Sequence, residues 1–283
     1  MNILNYWVAF INLNNFIELL SLPAVQRAII GGILMGILGG LLGCFVTLRQ
    51  LSFFSHAVGH AALVGVVLGV LLQINPTWTL LPFTILFGLS VLYLIEQTDI
   101  GSDSAFSIAV SAALAIGIIL SNFIRGYRAN LMAVLFGDIL AIDIYDIGLI
   151  FLLLLISAIF LLTTLQQQIL LTLNPAVAQV QGIPVRLYRY LFIVLLSLAV
   201  AVSIKAVGVL LVNAFLVIPA STAKLVSHQF SRFLIISIII GAITALVGMM
   251  ISGILNLASG PSIIMMQFLL FLLVIIWVKK RNK

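Results

Sequence analysis

Residues 28–48 read AIIGGILMGILGGLLGCFVTL, a run with no charge and one hydroxyl, closed by Arg49. Coiled as an α-helix at 1.5 Å per residue, such a run is roughly as long as the hydrocarbon core of a bilayer is thick, about 30 Å. In lipid the backbone must satisfy its own hydrogen bonds, which leaves helices and closed barrels. A barrel strand would show about ten alternating residues, and this run does not alternate. The same texture fills the chain: of 283 residues 64% are hydrophobic and 7% charged, with a mean hydropathy of +1.35. A soluble domain carries about a quarter charged residues. An ordinary globular enzyme, a nucleic-acid-binding domain and a disordered chain are thereby excluded. The fold class is all-α, a polytopic helical membrane protein.

With about 20 apolar residues per span, helices are expected near 24–48, 51–73, 78–95, 105–123, 145–164, 189–205, 208–226, 233–254 and 261–279. Lys205 and Gly208 interrupt the sixth and seventh, and Pro219 falls inside the seventh, so the expectation is eight to ten transmembrane helices. The whole chain, 1–283, reads as one transmembrane domain. Residues 1–22 form an interfacial or partly inserted lead-in without the features of a secretory signal. The net charge of +6 marks the inner membrane face rather than an anionic partner. The basic tail 279–283, with Lys279, Lys280, Arg281 and Lys283, puts the C-terminus inside. Alternation then places the turn at Arg49, the segment 96–104, the connection 165–188 and the loop 227–232 inside, and Arg125 and Arg128 outside. The lone Cys44 excludes an intrachain disulfide.

Gly32, Gly36 and Gly40 recur four apart, a spacing that lets helix backbones approach closely in lipid. In the connection 165–188, Asn174-Pro175 starts a short helix over Ala176–Gln181, which Gly182 ends, with Pro184 beyond.

With so few polar side chains, those inside spans can be weighed singly. Ser55-His56-Ala-Val-Gly-His60 puts two imidazoles one turn apart on one helix face, His60 close to the midplane. Two such rings can share a transition-metal ion, and ionisable groups at that depth mark function by default. The intervening residues lack the glutamate of a zincin protease. Asn213 either faces a translocation path or joins two helices, Lys205 snorkels or packs, and His228 is a solvated loop residue. Asp138 and Asp143 fall in a stretch too short to span. No P-loop and no nucleophile elbow occurs, so any ATP chemistry belongs to another chain.

The order of motifs resembles the permease subunits of ABC transporters for zinc, manganese and iron, from about Gly31 to Trp277. Its carriers are Gly39-Gly-Leu-Leu-Gly-Cys-Phe-Val-Thr-Leu-Arg49, Leu51 to Leu63 with both histidines, and Leu135-Phe-Gly-Asp-Ile-Leu140. They continue with Asn174-Pro-Ala-Val-Ala178 followed by Gly182-Ile-Pro184, then Ala206 to Ala223, and Ser259-Gly-Pro261. The resemblance implies a homodimer of permeases forming the pore, two cytoplasmic ATP-binding subunits, an extracytoplasmic metal-binding protein, and a bacterial cytoplasmic membrane. It implies no catalytic residue and no permanently bound cofactor; the divalent metal ion is cargo. Asn174, Pro175, Ala176, Gly182 and Pro184 match the family's coupling helix, which docks on the ATPase. Metal contact carries over to His60, and to His56 by position only, since the family places an aspartate four residues before the histidine. Imidazole in place of carboxylate shifts preference from manganese toward zinc. The alternative is a stand-alone secondary cation transporter or channel, which would need intramembrane carboxylates for proton coupling.

Overall fold

A computed structural model describes residues 21–98, 100–123 and 139–281. The lead-in up to residue 20, Arg125, Arg128, Asp138 and Lys283 lie outside the described residues. Within them the chain forms α1 (Pro23–Leu48), α2 (Ser52–Leu71), α3 (Pro76–Gln97), α4 (Ser102–Ser121) and a 3-10 turn (Ile139–Ala141). There follow α5 (Ile144–Thr163), α6 (Leu165–Leu173), α7 (Pro175–Val180), α8 (Val185–Val207), α9 (Val209–Val226), α10 (Phe230–Leu255) and α11 (Ser259–Arg281). Nine of these, all but α6 and α7, are long and apolar enough to cross a bilayer, which falls inside the expected range.

α1 packs chiefly against α10 and α9 and also touches α5, while α2 packs against α3 and α4 and meets α9 and α8. These two helices are the centre of the bundle, with 72% of their most apolar stretch buried, against 11% for the peripheral α11. The glycine spacing in α1 is what admits α10. A Cβ at Gly36 would collide with the Gly241 carbonyl, and one at Gly241 with the Gly36 carbonyl. Beside them Ser237 Oγ donates to the Gly40 carbonyl at 2.9 Å. Small residues here bring two backbones into contact, a packing mode that works in lipid because dispersion rather than hydrophobicity drives it.

Several boundaries differ from the expectation, each for a local reason. The start of the connection 165–188 is helical: α6 buries Gln168 and Leu171, one turn apart, while Gln166 stays exposed. α7 spans nearly the expected short helix, and Gly182 follows it at φ +77°, a left-handed backbone that glycine adopts without strain. α8 begins four residues earlier than expected, at Val185, because Arg186 and Arg189 extend the helix beyond its apolar run. Lys205 does not interrupt α8. The break is Gly208 alone, at φ +80° and ψ 162°, and α9 begins at the next residue. Asp143 caps α5 in a capping box with Asp146.

Candidate functional site

A three-residue turn, Arg49-Gln50-Leu51, reverses the chain between α1 and α2, with Gln50 in the left-handed region at φ 56°. The face of α2 carrying Phe54, Ala57, Val58 and Ala61 is fully buried, which leaves Phe53, His56 and His60 as the open stripe. Positions i, i+3 and i+7 share one helix face, and the apolar side fixes which face that is. The imidazoles lie with ring centroids 4.5 Å apart and planes at 85°. The sequence-derived pair is therefore a spatial pair, half-buried at both members.

A third residue joins them from 157 positions away: Asn213 Nδ2 lies 3.2 Å from His56 Nδ1. Gly59 makes this approach possible. Its missing side chain leaves room for α9, whose Val209 Cγ1 would sit 2.5 Å from a Cβ at that position. The site holds two orphaned atoms. His60 Nδ1 and Asn213 Oδ1 are both buried without a hydrogen-bond partner among the described residues. Buried polar atoms are almost always paired, so an orphan on a ligand-competent ring marks where an outside partner fits. Among the described residues no third His, Cys, Asp or Glu joins the pair. One chain thus offers two imidazole donors, half of a tetrahedral set.

The second predicted set lies in the connection between α5 and α8. Asn174 Oδ1 accepts from the backbone N–H of Ala176 at 3.1 Å and of Val177 at 3.2 Å, with Pro175 at the first helical position. Asparagine at the N-cap and proline just inside it are both suited to a helix start. The Gly182 N–H returns to the Gln179 carbonyl and the Ile183 N–H to the Ala178 carbonyl, and Pro184 leads into α8. The exposed side of α7 is apolar, with Val180 89% and Val177 42% accessible. His228 is an exposed loop residue between α9 and α10.

Sequence reasoning missed how this end of the bundle is tied to the turn between α1 and α2. Arg49 Nε donates to Thr172 Oγ1 at 3.1 Å, and its Nη2 to Gln168 Oε1 at 2.5 Å. The guanidinium also stacks 4.4 Å from the Phe192 ring centroid and 5.5 Å from that of Phe45. Burial, with the Arg189 charge a second cause, pushes the Arg49 pKa down to about 10, which still leaves it charged at neutral pH. Nearby, Arg189 pairs with Glu96 at 3.4 Å and Tyr190 donates to the same carboxylate. A cavity of about 300 Å³ lies among these groups, lined by Arg49, Glu96, Ser102, Thr172, Pro175 and Arg189. The polar run at 166–168 was the available signal, but its partner sits more than a hundred residues away.

Comparison with known proteins gives a consistent answer over this whole bundle. The chain is 32% identical over 267 residues to the manganese transport system membrane protein MntC of Halalkalibacterium halodurans, covering 94% of this chain and 91% of that one. It is 32% identical over 250 residues to the high-affinity zinc uptake system membrane protein ZnuB of Haemophilus influenzae, covering 87% of this chain and 94% of that one. Among solved structures, PsaBC from Streptococcus pneumoniae in complex with Fab superposes with a TM-score of 0.81 at 31% identity, over 93% of this chain and 95% of that one. The profile of the ABC 3 transport family matches residues 21–278, and the chain belongs to that family.

Proposed function

We infer that this chain is the membrane-spanning subunit of an ATP-driven importer of a divalent transition-metal ion, and that the ion is zinc. The observation that carries the reading is the His56–His60 pair, two imidazoles 4.5 Å apart on the half-open face of a central helix. The relatives bear the names of manganese and zinc systems alike. What favours zinc is the donor set: nitrogen ligands suit zinc, whereas manganese prefers carboxylate and water. Two copies of the chain, each supplying two rings, would complete four-coordination across a pore on their common axis.

In this scheme the complex sits in a bacterial cytoplasmic membrane and the whole chain acts as a single transmembrane domain. Cytoplasmic ATP-binding subunits grip α7 and its flanks, Asn174 to Pro184, where the exposed Val177 and Val180 offer an apolar knob. An extracytoplasmic binding protein delivers zinc to the opposite mouth. The chain contributes no catalytic group, and the ion is cargo rather than cofactor. Release inward requires a site that binds weakly enough to let go. The rival scheme of a proton-coupled carrier lacks support from the carboxylates. Among the described residues, Glu96, Asp103, Asp143 and Asp146 all lie at helix ends, Asp146 engaged in a cap.

The test is zinc-stimulated ATP hydrolysis and zinc uptake by the complex reconstituted in vesicles. His60→Ala and His56→Ala are expected to abolish zinc dependence while the complex still assembles. Wild-type rates with both rings removed would overturn the site. Uptake without any ATP-binding subunit would overturn the ATP-driven reading, and faster manganese than zinc uptake would overturn the choice of metal.

A further inference from the structure

We propose that Asn213 is a positioning residue for His56, one that lets the imidazole change tautomer as the ion arrives and leaves. The inference rests on the reading of His56 as a ligand given above. A neutral imidazole carries one proton, on Nδ1 or on Nε2, and only the bare nitrogen can bind a metal. Asn213 faces Nδ1 at 3.2 Å, so Nε2 is the nitrogen left for the ion. With Nδ2–H donating to Nδ1, the proton of His56 resides on Nε2 and blocks that position. Turning the amide by half a rotation presents Oδ1 instead. It then accepts from Nδ1–H, and Nε2 is bare.

Asparagine supports both states because its two terminal atoms differ in polarity but little in size. The rotation forfeits nothing on the far side, where Oδ1 is buried with no partner to lose. The link between α9 and α2 therefore persists while the ligand atom is opened or closed. Beside it, His60 stands at 85° to His56, with its own Nδ1 unpartnered among the described residues. Metal-bound histidines commonly donate their second N–H to an outer group that fixes tautomer and orientation, and losing such a group costs about 10–100-fold in affinity or activity. A permanent acceptor would strengthen the ligand but slow its release. An amide that can turn serves loading and unloading equally.

Three measurements on the complex in vesicles, with zinc as the probe, decide the matter. Asn213→Asp can only accept, so the KM for zinc is expected to fall about 10-fold and kcat to fall with it, as release slows. Asn213→Leu offers neither polarity, and KM is expected to rise by about the same factor with assembly unchanged. In a His56→Ala background, where zinc dependence is already lost, neither substitution should restore it. The chain has 3 histidines, which makes nitrogen NMR of histidine-labelled protein tractable. Zinc is expected to move the His56 proton from Nε2 to Nδ1.

KM and kcat within twofold of wild type for both Asn213 variants, with zinc dependence lost in His56→Ala, would overturn this inference and leave the metal site standing. Zinc dependence restored by Asn213→Asp in the His56→Ala background would overturn it too, since the carboxylate would then hold the ion itself. So would zinc bound at Nδ1 in the NMR experiment. Full zinc dependence in His56→Ala would overturn the underlying site instead.

Discussion

At one end of the bundle Arg49 sets its donors against Thr172 and Gln168 and its flat faces against Phe45 and Phe192. Around His56 and His60, by contrast, two buried polar atoms have no partner among the described residues. Both clusters place polar groups in an apolar bundle, and both join segments far apart in sequence. In the first, Nε and Nη2 of the guanidinium are bonded to acceptors of the protein. The second is incomplete. A satisfied buried network rigidifies, whereas an orphaned atom leaves a place for something from outside. The two clusters differ in how far the protein itself satisfies their polar atoms.

Substitutions should divide along the same line. The largest effect is expected for His60→Ala, a loss of zinc-stimulated ATP hydrolysis beyond the 10–100-fold typical of outer-group changes, with thermal unfolding in detergent unmoved. Loss of stability in that variant would place the histidines with the Arg49 cluster. Gln168→Leu should do the reverse. It takes the side-chain acceptor from a buried guanidinium and should cost about 2 kcal/mol of stability, read from denaturation in mild detergent. Asn174→Ala removes the cap of α7 and should cost about 1 kcal/mol, confined to that helix and visible as faster amide exchange over 176–180. The smallest effect belongs to Arg27→Gln. Its ion pair with Asp143 spans 3.3 Å between side chains 37% and 62% exposed, so less than about 1 kcal/mol is at stake, and salt should erase it.

Hydropathy is a local property, and the spans were therefore legible one by one: nine helices among the described residues follow nearly the apolar runs from which they were expected. The facing of His56 and His60 was legible as well, because spacing along a helix sets direction. Gly36 showed in the sequence that some helix must come close, but not that it would be the one bearing Gly241. Asn213 stood out as polar, yet nothing in its neighbourhood pointed to His56. The same holds for Arg49, which sequence reasoning used only to mark the inner face. Helix α6 was hidden because three glutamines resemble a linker until Gln168 is seen buried. Pairings between helices depend on contacts that one chain read in order does not display.

The single-residue elbow at Gly208 carries a consequence for length. Loops between spans ordinarily absorb insertions, since slack on the surface adds little closure entropy. Between α8 and α9 there is no slack, because Val207 ends one helix and Val209 begins the next. A residue added within the first turn of α9 advances the helix phase by about 100°. That turns Asn213 away from His56 while every apolar span keeps its hydropathy. Chain length at this point is thus part of the site's chemistry, and a hydropathy profile would never register the difference.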